Sequence, residues 1–207
     1  MNLPQSFIER TRQLLGEDQY PKFEEALQNE VPVSIRPNFA KCDKPVDGEP
    51  VPWASSGVYL KNRPTFTFDP LFHAGCYYVQ EASSMFLERV LHQYVPCACR
   101  MLDLCAAPGG KSTLARTALP EGSLLVSNEI VRPRAQVLAE NMVKWGHPDV
   151  VVTQNAPADF ASFPHFFDVI LADVPCSGEG MFRKDAESVA EWSMANVDLC
   201  WQRQRSI

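Results

Sequence analysis

No apolar run in the sequence approaches the roughly 20 residues that a membrane-spanning helix needs. The N-terminal stretch MNLPQSFIERTRQLL is amphipathic and lacks the apolar centre of a secretory leader. Both absences predict a cytoplasmic chain with no membrane partner. A disulfide framework is missing too: the seven cysteines are odd in number and scattered, which in a chain without an export signal predicts reduced thiols. Basic residues are outnumbered, 19 Lys+Arg against 25 Asp+Glu, for a net charge of −6. Capture of a polyanion by the molecule as a whole is therefore excluded, and such a partner has to be met by a local patch. Internal repeats and low-complexity segments do not occur. What is present, 45% hydrophobic and 21% charged residues over 207 positions, excludes disordered and collagen-like chains and suffices for one or two cores.

Across residues 4–27, Phe7, Ile8, Leu14, Leu15, Phe23, Ala26 and Leu27 recur mostly at three- and four-residue steps, predicting two short helices with a break near Gly16 and Pro21. Then Pro32, Pro37, Pro45, Pro50, Pro52, Pro64 and Pro70 punctuate the chain, each removing a backbone donor and biasing its predecessor away from helix. Residues 1–72 are expected to form a small α+β module, with strands at 33–36, 58–60 and 65–68. Residues 81–94 place Met85, Phe86, Val90, Leu91 and Tyr94 on one stripe of an amphipathic helix that Pro96 terminates. Beyond it the chain alternates: RMLDLC, LLVSNEI, DVVVTQN and DVILAD read as buried strands, separated by KSTLARTAL, PRAQVLAENMVKWG and a short helix-like stretch. Short apolar strands with helix-length spacers imply a parallel sheet with right-handed crossovers, hence a doubly wound α/β domain over residues 73–207. From residue 181 the pattern is mainly helical (Val189, Trp192, Met194, Val197, Trp201). Such sheets usually have about five to seven strands, so with four the domain is expected to be incomplete.

The chemistry sits at the strand ends. The first parallel strand ends in Asp103 and runs into Cys105-Ala106-Ala107-Pro108-Gly109-Gly110-Lys111-Ser112, where small residues let the backbone approach a ligand such as a nucleoside-type cofactor. Glu129 closes the next strand, where a carboxylate can accept both hydroxyls of a ribose. Asn155, after the third, suits an adenine edge, and Asp173 ends the fourth. The rival reading is a phosphate loop, since Gly110-Lys111-Ser112 copies the end of G-x-x-x-x-G-K-[ST]. However, the first glycine of that pattern falls on Cys105, and Pro108 removes a donor that would cradle phosphate. After the fourth strand, Pro175-Cys176-Ser177-Gly178 presents a thiol in a glycine-flanked loop, which favours a functional role for Cys176 over a buried one. A thiol at the mouth of a cofactor site suggests covalent chemistry on a carbon that resists direct alkylation, such as carbon 5 of cytosine.

DLCAAPGGKS, NEI, DVILADVPCSGEGMFRKD and the upstream HAGCYYVQEASSM together resemble the bacterial Sun-type RNA 5-methylcytosine methyltransferases, particularly the branch acting on small-subunit ribosomal RNA. The similarity runs through nearly the whole chain and includes an RxN-like element at Arg36-Pro37-Asn38. It implies a Rossmann-like methyltransferase sheet and S-adenosylmethionine held by Cys105, Ala106, Ala107, Pro108, Gly109, Gly110, Lys111, Glu129, Asn155 and Asp173. The family often has aspartate at the position of Asn155, and asparagine keeps the hydrogen-bonding capacity. It also implies two cysteines. One, in a downstream Thr-Cys-Ser-like motif, attacks cytosine, and the other, matched by Cys176, assists release of the methylated product. No such downstream motif occurs before Ile207, so the sequence is expected to be a truncated piece lacking the nucleophile. A catalytically silent, RNA-associated module that keeps the cofactor fold is the alternative from the binding class.

The remaining candidates are weaker. His73, Cys76, Cys97 and Cys99 are possible soft ligands, but Cys-x-Cys is tight for tetrahedral zinc, so no metal is expected. Tyr77 and Tyr78 can stack on a base, although aromatics beside an amphipathic helix more often pack in the core. Among the scattered cations Lys61, Arg63, Arg132, Arg134, Lys144, Arg183, Lys184, Arg203 and Arg205, the pair Arg183 and Lys184 is singled out for RNA. A base flipped into the pocket brings its phosphates along the rim just after the cysteine loop. Cys200, in the helical DLCWQRQ, reads as core.

Overall fold

A computed structural model describes residues 2–43 and 46–207; Pro45, one of the expected punctuating prolines, lies outside them. In chain order, α1 (Gln5–Leu15) and α2 (Tyr20–Gln28) precede strands β1 (Val33–Pro37), β2 (Glu49–Pro50) and β3 (Val58–Leu60). A 3-10 turn at Phe66–Phe68, the short α3 (Pro70–His73) and β4 (Tyr77–Val79) follow. A 3-10 stretch at Ala82–Phe86 then runs into α4 (Leu87–Tyr94). Next, β5 (Arg100–Asp103), α5 (Gly110–Ala118), β6 (Leu124–Asn128), α6 (Arg132–Trp145) and β7 (Val150–Thr153) alternate. A 3-10 stretch at Pro157–Ser162 leads to β8 (Val169–Leu171), and α7 (Ala186–Glu191) and α8 (Met194–Ser206) come last. The chain divides into two compact units, Pro32–Asp173 and the combination of Met1–Val31 with Val174–Ile207.

Both sheets belong to Pro32–Asp173. The antiparallel one has the order β2-β3-β1-β4, and the parallel one β7-β6-β5-β8. In the parallel sheet Leu102 sits opposite Val126 and Ile170, and Val126 opposite Val151. The two central strands are buried on both faces, with Met101, Leu102, Leu125 and Val126 all inside, as a continuous apolar run in a parallel sheet requires. The outer strands alternate instead: Val151 and Ile170 are exposed, so DVVVTQN and DVILAD are half-buried where fully buried strands were expected. One core joins Met101, Leu114, Leu125 and Leu138 to Met85, Leu91 and Val51; complete burial of each such side chain contributes about 1.5–3 kcal/mol. Because Val51 and β4 share this unit with the parallel sheet, the expected division between residues 72 and 73 falls inside it.

Two local readings are corrected. The strand expected at 65–68 is a 3-10 turn closed by Asp69, whose carboxylate caps α3 by accepting from the Leu71 N–H at 2.9 Å; Pro64 and Pro70 bracket a segment too short to pair. The stripe expected over 81–94 is split. Met85 and Leu91 are buried, whereas Phe86, Val90 and Tyr94 are exposed and Glu88 is inside. The 3-10 start turns the chain by three residues per turn and shifts the phase of the later helix, and Glu88 accepts the Ser55 N–H at 2.8 Å.

In the other unit, Gly16, at φ 74°, ends α1 and its N–H donates to Arg12 O, while Pro21 occupies the first turn of α2. Phe7, Phe182, Val189 and Trp192 form a small core, with the Phe7 ring 5.1 Å from Phe182 and 5.3 Å from Trp192. No residue of α8 is buried, and Cys200 is only half-buried, which corrects its reading as core. The apolar side chains Met194, Leu199 and Trp201 of that helix are exposed.

Candidate functional site

The tips of the parallel strands are tied together before any ligand arrives. Asn128, fully buried at the end of β6, donates through Nδ2 to the carbonyls of Leu104 and Asn155, and its Oδ1 accepts from Thr153 Oγ1 and the Asn155 N–H. One side chain thus fixes the exits of β5, β6 and β7. The Ala106 N–H donates to Asn128 O at 2.8 Å, which begins the turn of CAAPGGK. Within the turn the Ala107-Pro108 peptide is cis, and Gly109 adopts φ 109°, a conformation that excludes most side chains. Residues of α6 hold the turn from outside: Arg134 donates to Ala107 O and Asn141 Nδ2 to Pro108 O at 2.8 Å.

Beside this turn lies a cavity of about 190 Å³ lined by Asp103, Cys105, Ala106, Ala107, Pro108, Gly110, Lys111 and Asp173, together with Tyr78, Val79, Gln80, Glu81 and Ser84. Asp103 is fully buried. Ser112 Oγ donates to its Oδ2 at 2.6 Å, while Oδ1 meets no donor among the described residues. Burial, with the neighbouring Asp173 charge adding to it, raises the Asp103 pKa to about 6 against the lowering effects of Ser112 and Lys111. Lys111 Nζ is committed to Asp173 in a short ion pair. Burial also pushes the Cys105 thiol up, with Glu129 and Asp103 reinforcing the shift, so Cys105 stays protonated at neutral pH.

Glu129 and Asn155 occupy the neighbouring strand exits but lie outside this cavity. The buried Glu129 accepts the Val131 N–H at 3.0 Å through Oε1. Arg134 Nη1 lies 3.2 Å from Oε2 without hydrogen-bond alignment, so Oε2 is a second buried acceptor lacking a donor among the described residues. Asn155 is exposed and borders an apolar cavity with Phe160 and Phe163. Its Nδ2 lies 3.5 Å from Asp159 Oδ2, so a carboxylate stands beside it. Cys176 is exposed in the other unit, and the nearby Ser177 donates to Glu179 at 2.7 Å. Arg183 donates to Ala26 O at 3.4 Å.

Several supporting residues lie outside the strand-tip motifs. Arg36, from the RxN-like element on β1, is buried against α5 and α6, where Nε donates to Gln80 Oε1 and Nη2 to Thr113 Oγ1. Its guanidinium carbon stands 4.3 Å from the Trp145 ring centroid. Burial lowers its pKa to about 9. Gln80 and Thr113 both donate in turn to Gly110 O, so this arginine fixes the entry to α5 through two intermediaries. Asn38 donates to Gly75 O and Trp145 O. In the sequence, Arg36 and Asn38 are signalled only by the RxN-like element and Gln80 only by the QEASS segment of the resemblance.

A parallel sheet in the order β7-β6-β5-β8, with a small-residue turn opening α5 and polar groups at every strand exit, defines a Rossmann-like domain of the methyltransferase class. The sequence matches two family models: the N-terminal domain of 16S rRNA methyltransferase RsmF over residues 3–82, and 16S rRNA methyltransferase RsmB/F over residues 95–207. The chain belongs to the RsmB/F methyltransferase family. It is similar to ribosomal RNA small subunit methyltransferase F of Photobacterium profundum (31% identical; 99% of this chain, 46% of that protein) and of Pectobacterium atrosepticum (32%; 100% and 46%). It thus spans about half the length of the curated relatives it matches. Among solved structures it resembles a methyltransferase homolog protein from Pyrococcus horikoshii (TM-score 0.70, 23% identical, 97% of this chain and 70% of that one). It also resembles NSun6 from the same organism, solved with SFG (TM-score 0.78, 16% identical, 98% and 78%). These two likenesses concern the fold.

Proposed function

We propose that this chain is the cofactor-binding portion of an enzyme that methylates carbon 5 of cytosine in small-subunit ribosomal RNA, using S-adenosylmethionine, in the cytoplasm. The observation that carries the reading is the acid-lined cavity beside the CAAPGGK turn. Asp103 and Asp173 both border it, and the one lysine there is already neutralised by Asp173. Such a site favours a ligand with a cationic end and opposes a polyphosphate, which disfavours the phosphate-loop alternative. The residues fit S-adenosylmethionine, since Asp103 Oδ1 and Glu129 Oε2 are buried acceptors without a hydrogen-bond donor among the described residues, Glu129 Oε2 having only the misaligned Arg134 beside it, the ligand offers an ammonium group and ribose hydroxyls, and unsatisfied buried acceptors are costly.

When bound, the cofactor supplies an electrophilic methyl group on a sulfonium. Asp103 and Asp173 would hold its cationic end, Glu129 its ribose and Asn155 its adenine edge, with residues 105–111 packed against it. Cys176, which follows Asp173 by three residues, is assigned to release of the methylated base, and Arg183 with Lys184 to the RNA backbone. Calorimetry of the folded chain with S-adenosylmethionine tests the reading. Saturable binding that ATP does not displace supports it, and absence of heat at millimolar cofactor rejects it.

A further inference from the structure

A second, larger cavity, about 560 Å³, opens within Pro32–Asp173, lined among others by Arg63, Phe66, Phe72, Asn141 and Lys144. Tyr78 and Val79 line both cavities, and Asn141, which holds Pro108 O of the cofactor turn, lines this one. The volume lies within the range of small-ligand sites, 300–1,000 Å³, so it admits a nucleoside. Its chemistry departs from that of the molecule: the net charge is −6, yet no acid is among its lining residues and two cations are. Neither Arg63 nor Lys144 ion-pairs with a carboxylate among the described residues. Each stands over a ring, Lys144 Nζ 4.3 Å from the Phe72 centroid and the Arg63 guanidinium carbon 5.6 Å from that of Phe66. Half-buried aromatic faces covered by long flexible cations form the pairing that single-stranded nucleic acid uses, with bases on rings and phosphates on the displaced cations.

We propose that this cavity holds an unstacked base of the RNA strand neighbouring the nucleotide to be modified, with Arg63 and Lys144 on its phosphates. The assignment rests on the RNA-modifying reading above and adds to it a recognition site that residues 63–79 form together with α6. The test is fluorescence anisotropy of a labelled single-stranded RNA hexanucleotide containing cytosine, titrated with the 207-residue chain at saturating S-adenosylmethionine. Phe72→Ala is expected to weaken binding roughly fivefold or more, the lower bound of losing one base–aromatic stack. Because Phe72 also packs on Tyr77, Arg63→Ala with Lys144→Ala serves as the second variant. It should reduce the slope of log affinity against log salt by about 1.4, at about 0.7 per phosphate contact. Cofactor affinity should stay at the wild-type value in all variants. Unchanged RNA affinity and salt slope, equal affinity for duplex RNA, or no RNA binding by the wild type each overturn the inference. With cofactor binding intact, those results leave the methyltransferase reading standing, whereas loss of wild-type cofactor binding is the separate failure of that reading.

Discussion

Asp103→Asn should make the cofactor-free protein more stable and the cofactor site worse. In the folded chain the Asp103 pKa is pushed up to about 6 from its ordinary value of 3.8, chiefly because burial disfavours its charge. Between these values the folded state holds a proton that the unfolded state has released, so the contribution of this group to stability is intact below pH 3.8 and is lost as pH rises through 6. Across about two pH units at about 1.4 kcal/mol each, the neutral-pH cost is roughly 3 kcal/mol. Asparagine, which mimics the protonated acid and can still accept from Ser112 Oγ, removes that cost. The urea-derived stability of Asp103→Asn should exceed wild type by up to that amount at pH 7, and the difference should close near pH 4.

Binding runs the other way, because a cationic ligand requires the ionised carboxylate. With a pKa of about 6, Asp103 is about nine-tenths charged at pH 7 and one-tenth at pH 5, so S-adenosylmethionine affinity should fall roughly tenfold over that interval, about 1.4 kcal/mol. Calorimetry at pH 5, 6 and 7, with circular dichroism to confirm folding, measures it. In Asp103→Asn the affinity should be lower and independent of pH in this range. A flat wild-type profile, or an asparagine variant less stable than wild type at pH 7, refutes the reasoning.

Three further outcomes follow from the packing. Arg36→Lys should destabilise the chain by about 2–4 kcal/mol in denaturant unfolding, since an ammonium cannot reach Gln80 and Thr113 while stacking on Trp145; wild-type stability would deny the bridge its role. Gly109→Ala should cost about 1–3 kcal/mol of stability and weaken cofactor binding as well, because φ is 109° and a Cβ there meets Leu138 Cδ1 at 3.3 Å. In the other unit, Trp192→Phe deletes the indole donor that holds Glu179 at 3.0 Å, and should lower thermal stability by the equivalent of about 1 kcal/mol without changing cofactor affinity.

The parallel sheet was legible because apolar strands, helical spacers and strand-end polar groups repeat one local pattern that needs no distant partner. All four strands and the crossover helices α5 and α6 appear within a residue or two of where that pattern puts them. Asp103, Asp173 and most of residues 105–111 border one cavity because β8, the last parallel strand in chain order, pairs directly with β5, an adjacency that the spacing along the chain does not fix. What the pattern could not show depends on contacts far apart in sequence. The burial of Glu88 follows from a donor 33 positions upstream, and that of Arg36 from acceptors 44 and 77 positions away. Neither a carboxylate on a helix face nor an arginine in a strand shows its buried partners in the local pattern. Asn155 was legible as a strand-tip polar group, but the aspartate beside it comes from the next turn and carries no motif.

The antiparallel sheet has a consequence for how the two proposed ligands relate. Gly110 O, at the first turn of α5, accepts from Gln80 Nε2 and Thr113 Oγ1, and both of those side chains are held by Arg36 from β1. Tyr78, two residues before Gln80, is the wall shared by the cofactor cavity and the Arg63–Lys144 cavity. The register of β1 against β4, with Arg36 opposite Tyr78, therefore places one strand pair against both the cofactor turn and the neighbouring cavity. A base entering that cavity presses on a strand hydrogen-bonded to the turn that would hold the methyl donor. If the wall moves as one body, occupancy of either cavity changes affinity for the other, and linkage makes that change reciprocal. Arg36→Lys, which loosens the bridge without replacing any residue that lines either cavity, should abolish the coupling measured by titrating RNA with and without S-adenosylmethionine. Equal coupling in that variant and in wild type would mean that the two sites communicate by another route.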